Sequence, residues 1–321
     1  MRVALAIFAG LVLIVVVALA GVIAFNVPTP PRTMTSVSAA FAGTDFSGLP
    51  PKQHFVARDG TALVYRVYPG DPARIVVLIH GSSGTSADLH LLASAIHARG
   101  PTVYALAMRG HDGTGRSGDI DYIGQLENDV ADFVKTLGPR RPGEVRTLLG
   151  FSSGGGFALR LASGPQGGLF DRLILVAPQF PYNAPTMRKG AGGWVSVAVP
   201  RIVALSIVNR LGVTAFNGLP VMAMAVDRAV LTKTHLTPVY SYRMLRNFGP
   251  SDDYLGDVRR VRGPVIVFDG AKDEIFYADR FAPLLKPLRP DLSVTIIPGL
   301  THMELTTRPV ALDAIAAAAA G

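Results

Sequence analysis

Apolar strands alternating with helical stretches predict an α/β protein on a doubly wound, mostly parallel sheet. Three observations carry this. The runs Arg74-Ile-Val-Val-Leu-Ile-His80 and Arg172-Leu-Ile-Leu-Val-Ala-Pro178 are continuously apolar, as strands buried on both faces are. Stretches of helical character lie between successive strands. Residues able to do chemistry stand just past strand ends, where open sheets of this kind bind ligands.

Composition narrows the function. The chain has 321 residues, enough for one large domain plus extras. It has no cysteine, which excludes disulfides, thiolate metal sites and a cysteine nucleophile. Charged residues make up 17% and the formal charge is +8. No dense Lys/Arg run occurs, so nucleic acid is not an expected partner. The diffuse positive balance suits an anionic membrane surface, or is simply a solvated surface.

In chain order, Val3 to Phe25 carries no charged or strongly polar residue. As a helix it spans roughly 35 Å, enough to cross a bilayer. Residues 1–26 are therefore expected to be a transmembrane anchor or a signal peptide. Arg2 before the run weakly favours an N-terminus inside and the body outside the cytoplasm. The A-x-A site Ala18-Leu19-Ala20 supports the alternative, a secreted or periplasmic protein after cleavage. Residues 27–52, with Pro28, Pro30 and Pro31, read as a linker.

The main domain is expected over 53–321. Phe55-Val-Ala-Arg and Ala62-Leu-Val-Tyr-Arg-Val-Tyr flank Asp59-Gly60, a hairpin signal. The strand at 74–80 leads to a Gly/Ser loop and a helix to about Arg99. Thr102-Val-Tyr-Ala-Leu-Ala is the next strand, followed by the loop from Arg109 and a helix over about 122–137. Glu144 to Leu149 is a strand, then a helix after Gly156. The rhythm breaks over 181–255, which is apolar and interrupted by Pro185, Pro200, Pro220 and Pro238. It is expected to be a helical cap inserted after the sixth strand. Strands at 264–268 and 292–297 and a closing alanine-rich helix complete the domain.

Gly150-Phe151-Ser152-Ser153-Gly154 is a G-x-S-x-G nucleophile elbow. A serine hydroxyl is a weak nucleophile, so it must be thrust from a strained turn toward a base. A base and an orienting carboxylate should follow in the order serine, acid, histidine. Strand 265–268 runs to Asp269-Gly-Ala-Lys-Asp273, and strand 294–297 to Pro298-Gly-Leu-Thr-His302. Ser152, Asp273 and His302 are the candidate catalytic residues. Asp269, Glu274 and Asp279 compete for the acid position. His54, His90, His97 and His235 are less suitably placed as base, and His80 reads as structural. The oxyanion hole is expected from the Ser153 N–H and, in the loop His80-Gly81-Ser82-Ser83-Gly84, the Ser82 N–H.

These pieces resemble the α/β-hydrolase superfamily, in the branch of monoacylglycerol lipases, lysophospholipase-like esterases and serine aminopeptidase-like hydrolases. The matching motifs are His80-Gly81, Arg109-Gly110-His111-Asp112 through Gly118, Gly150 to Gly154, Gly270-Ala-Lys-Asp273 and Gly299-Leu-Thr-His302. The resemblance runs from about Phe55 to the C-terminus, outside the cap. It implies an α/β-hydrolase fold and a serine hydrolase with no metal or organic cofactor. The loop at Asp112-Gly-Thr-Gly-Arg-Ser is longer than the compact R-G-H-G-x-S form, and the N-terminal helix lies outside the common pattern.

An apolar cap over a serine site suits acyl chains, and an anchor would raise the local concentration of lipid. The expected substrate is a small-molecule acyl ester or lipid, monoacylglycerol-like or lysophospholipid-like, with the N-terminal helix as membrane contact. The alternatives are an amide or peptide hydrolase, using Asp227, Asp252 or Asp253 to hold a substrate amine, and a silent lipid- or partner-binding module. Oligomeric state is not legible.

Overall fold

The computed structural model describes residues 1–41, 43–227, 231 and 235–321. Helix α1, Arg2–Phe25, precedes the body, and almost all of its length is exposed. Its final turns pack on the inserted segment described below, where Ile23 joins Ala204, Leu205, Val221 and Tyr242 in a small apolar cluster. A short helix α2, Thr35–Ala39, follows.

The centre is an eight-stranded sheet in the order β1-β2-β4-β3-β5-β6-β10-β11. Strands β1, Gln53–Val56, and β2, Ala62–Tyr68, form the expected antiparallel hairpin, and β2 is antiparallel to β4, Pro101–Leu106. From there inward all pairs are parallel: β3, Asp71–Ile79, with β4; β5, Val145–Phe151, with β3; and β6, Arg172–Val176, with β5. A hairpin joins β1 to β2, whereas the parallel pairs need crossovers. Helices α3, His90–His97, α4, Gln125–Thr136, and α5, Ser153–Ser163, supply three of them. Val77, Leu78, Ile79, Leu148, Leu149 and Ile174 are buried completely, as central strands covered on both faces must be.

After β6 the chain leaves the sheet. The insertion contains β7, Val195–Val197, helix α6, Val199–Arg210, β8, Pro220–Met224, β9, Val239–Ser241, and helices α7, Tyr242–Asn247, and α8, Tyr254–Arg260. Strands β7, β8 and β9 form a separate antiparallel sheet, so the insertion is mixed where helices alone were expected. The difference has a local cause. These strands are three to five residues long, too short to show a period of two. Pro220 opens β8 and Pro238 immediately precedes β9, where prolines read as helix breaks. The chain then returns to the main sheet as β10, Val265–Gly270, and β11, Ser293–Ile297, separated by α9, Phe281–Leu285. Helix α10, Pro309–Ala320, closes the fold beside α3.

Segment 27–52, expected as a linker, is seated on the body. The Met34 N–H donates to the Ala225 carbonyl at 3.5 Å, and the Phe46 ring stacks on His90 at 5.9 Å. Lys52 pairs with Asp112 at 2.7 Å. Its proline and serine content predicted no packing, yet Phe41, Phe46 and Leu49 give it an apolar side that lines a cavity.

Candidate active site

The elbow is formed by the tight passage from β5 to α5. Ser152 takes φ +55° and ψ −122°, a strained conformation for a non-glycine residue. Its neighbours show why the turn needs glycine. A Cβ on Gly150 would lie 2.2 Å from the Gly154 carbonyl, and one on Gly154 would lie 2.2 Å from the His80 carbonyl. The elbow is fixed from below by the Ser152 N–H, which donates to the Val176 carbonyl at 2.9 Å.

Three residues from three strand ends meet here. His302 Nε2 lies 3.0 Å from Ser152 Oγ, and His302 Nδ1 lies 2.6 Å from Asp273 Oδ2. With Nδ1–H donating to the carboxylate, Nε2 is free to accept the serine proton. His302 and Asp273 are each 1% exposed and Ser152 7%. The rings of Phe151 and Phe276 stand 4.8 and 5.2 Å from the imidazole and limit its rotation. The other oxygen of Asp273 accepts the N–H groups of Ile275 at 2.7 Å and Phe276 at 2.8 Å. Burial pushes the Asp273 carboxyl up. The adjacent His302 and these hydrogen bonds outweigh it and hold the group below its ordinary value.

The competing carboxylates do not meet the His302 ring nitrogens. Asp269 is fully buried, and its Oδ1 accepts the Gly270 N–H at 2.7 Å. Burial, then the charge of Asp273, holds it well above the usual carboxylate range. Glu274 accepts the backbone N–H of His302 at 3.0 Å, and Asp279 is exposed. His54 is exposed on β1, while His90 meets the Tyr68 hydroxyl at 2.9 Å. His80 is structural: its Nδ1 meets the Gly81 carbonyl at 2.8 Å and its Nε2 accepts the Met108 N–H at 3.1 Å. Burial pushes it down to about 4.

The N–H groups of Ser82 and Ser153 donate to no partner among the described residues. Ser153 is the first residue of α5, where the first-turn N–H groups lack intrahelical acceptors and the dipole is positive. Arg109 turns out to be scaffold. Its guanidinium makes two bonds of 2.8 Å to Asp129 and pairs with Asp59 of the hairpin at 2.9 Å.

Above Ser152 lies a cavity of about 510 Å³. Ser82, Ser152 and His302 stand at its base, Trp194 and Val226 come from the insertion, and Val37 and Phe41 from segment 27–52. Sequence reasoning did not find this last wall, nor the role of Trp194. Its one signal was that Trp194 is the only tryptophan in the chain. Asp252 and Asp253 are engaged by Arg246 at 2.5 Å and Arg260 at 2.8 Å and lie outside the cavity, whereas Asp227 lines it. No group of metal-ligating side chains occurs among the described residues.

The profile of the family described as serine aminopeptidase, S33, matches residues 70–307. A monoacylglycerol lipase of Mycolicibacterium smegmatis is 27% identical over 259 residues, covering 77% of this chain and 88% of that protein. A soluble variant of monoglyceride lipase from Saccharomyces cerevisiae, solved with a substrate analog, superposes with a TM-score of 0.63 at 18% identity, covering 84% of this chain and 94% of the other. The monoacylglycerol lipase of Paleococcus ferrophilus gives 0.60 at 18% identity, covering 80% and 98%. With the sheet, elbow and profile in agreement, this chain belongs to the serine aminopeptidase S33 family of α/β-hydrolases and is a serine hydrolase.

Proposed function

We propose that the protein hydrolyses carboxylic esters of acyl lipids, monoacylglycerol-like or lysophospholipid-like, through an acyl-enzyme on Ser152. The observation that carries this is the union of a 3.0 Å Ser152–His302 contact with an apolar cavity of about 510 Å³ directly above it. Ser152 Oγ attacks the ester carbonyl carbon while its proton passes to His302 Nε2. Asp273 holds the tautomer and stabilises the imidazolium. The N–H groups of Ser82 and Ser153 receive the oxyanion. Collapse breaks the bond to the alkoxide, which takes the proton from His302. Water then enters, gives its proton to His302 and attacks the acyl carbon, and the acid leaves as Ser152 regains its proton. No metal or organic cofactor enters these steps.

In this reading residues 1–26 hold the enzyme at a membrane, and residues 53–321 act on its extracytoplasmic side. The apolar helix, with a mean hydropathy of 3.1 over its most apolar window, supports the anchor and equally suits a signal sequence, whose cleavage would release a secreted or periplasmic enzyme. Segment 27–52 then serves as a wall of the acyl pocket as well as a connector.

The test is a series of acyl esters of rising chain length with the purified protein. Each methylene buried in the cavity contributes about 0.8 kcal/mol, roughly fourfold in kcat/KM. A flat series would remove the lipid assignment. The amide alternative keeps one supporting observation, the carboxylate of Asp227 in the cavity wall. Turnover of aminoacyl amides without turnover of esters would select it.

A further inference from the structure

The loop that carries the Ser82 N–H is itself strained. Ser83 is not glycine, yet it sits at φ +65°. Three hydrogen bonds tie this loop to the insertion. Trp194 Nε1–H donates to Ser82 Oγ at 2.8 Å. The Ser83 N–H donates to the Tyr240 hydroxyl oxygen at 2.8 Å. The Thr237 N–H donates to the Ser83 carbonyl at 3.0 Å. Both backbone groups of the strained residue are therefore satisfied from outside its own loop.

Tyr240 is fixed in turn. Its ring is 1% exposed, and its hydroxyl lies 2.5 Å from His111 Nε2. His111 Nδ1 faces the Arg109 carbonyl at 3.2 Å, so Nδ1–H donates there and Nε2 accepts the tyrosine proton. The hydroxyl is thus donor to His111 and acceptor from Ser83, with no freedom to turn. The strand β9 that carries Tyr240 is tied down by the Ser241 N–H on the Gly118 carbonyl at 2.9 Å, and Thr237 Oγ1 bonds the Gly110 carbonyl at 3.0 Å.

The pairing also selects the donor. With the Ser83 N–H given to Tyr240, the Ser82 N–H is the one left without an acceptor among the described residues. Were Ser83 to relax to negative φ, the peptide before it would swing and the Ser82 N–H would leave its position.

We infer that Tyr240, backed by Thr237, is a positioning residue for acyl transfer: it holds Ser83 in the left-handed conformation that presents the Ser82 N–H. Seating of the insertion thereby assembles the oxyanion hole. The inference rests on Ser152 as nucleophile and the Ser82 N–H as oxyanion donor.

The experiment compares wild type, Tyr240→Phe, and Tyr240→Phe with Ser83→Gly on a short p-nitrophenyl ester. Affinity for a trifluoromethyl ketone, whose hemiketal oxygen occupies the hole, is measured beside kcat, KM and the unfolding temperature. For Tyr240→Phe, kcat falls on the order of tenfold to a hundredfold with KM within about twofold, and ketone affinity falls in step with kcat. Adding Ser83→Gly recovers much of the loss, since glycine takes φ +65° without strain. A purely structural role would lower the unfolding temperature, gain nothing from Ser83→Gly and overturn the inference, as would an unchanged kcat. If Tyr240→Phe does not fold, Trp194→Phe is read by ketone affinity, which must weaken; unchanged affinity overturns the inference. Ser152→Ala separates the two levels. Turnover that depends on Ser152 but ignores Tyr240 sinks this inference alone, and turnover surviving Ser152→Ala sinks both.

Discussion

Asp273 Oδ2 and His302 Nδ1 stand 2.6 Å apart, buried together at the ends of two neighbouring strands. The contact sets which imidazole nitrogen faces Ser152. Asp273→Asn can donate to Nδ1 and favours the wrong tautomer, so kcat should drop by roughly 10⁴ with the fold intact. Steady-state kinetics and circular dichroism check this. A loss below about tenfold would mean another carboxylate serves, Glu274 being the nearest along the chain.

The elbow has no room for a side chain on the glycines beside Ser152. Gly154→Ala puts a methyl 2.2 Å from the His80 carbonyl, a backbone atom that cannot turn aside. Destabilisation of about 1–3 kcal/mol is expected from such overpacking, and denaturant melts measure it. Wild-type stability would show that the passage between α5 and β3 is wider than described.

Stability should fall in mild acid because two histidines are buried neutral. Burial pushes His80 down to about 4 from an ordinary 6.5. His111 is held well below by burial and then by its neighbour His80. The unfolded chain takes these protons below about 6.5 while the folded protein refuses them, so their contribution is full above that pH and is lost as pH falls toward 4. Between pH 6.5 and 5 the loss from His80 is roughly 1.5 kcal/mol, and His111 adds to it in the same direction. Thermal melts across this range test it. His80→Gln should be less stable at pH 7.5 but have a shallower slope, and an unaltered slope would contradict the assignment.

Segment 27–52 should set acyl-chain length. Val37 on α2 lines the cavity, and Val37→Trp fills part of it. Long-chain esters should lose at least about tenfold in kcat/KM while a two-carbon ester is unaffected. An equal loss on both would place Val37 outside the acyl path.

On the anchor reading, the protein should stay with membranes in alkaline carbonate and need detergent for release. Release by carbonate, with a shortened N-terminus by mass spectrometry, would select the signal peptide.

Much of the site is legible in the sequence because its chemistry is local. Ser152 lies in a five-residue turn, and Asp273 and His302 each follow an apolar strand by a few residues. The central strands are readable because burial on both faces leaves unbroken apolar runs such as Ile75 to Ile79. The insertion's sheet was hidden, since strands as short as Val195–Val197 carry no period. Segment 27–52 was hidden by its composition, as its apolar residues are spaced among prolines and serines and gain meaning only over the cavity. The bond from Ser83 to Tyr240 spans 157 residues, and no local pattern announces such a contact.

The most direct test of the whole account is fluorophosphonate labelling of the detergent-solubilised protein, wild type against Ser152→Ala. Wild type should label stoichiometrically, at Ser152 by peptide mass, and the folded mutant not at all. A folded Ser152→Ala protein that labels as wild type does would contradict it.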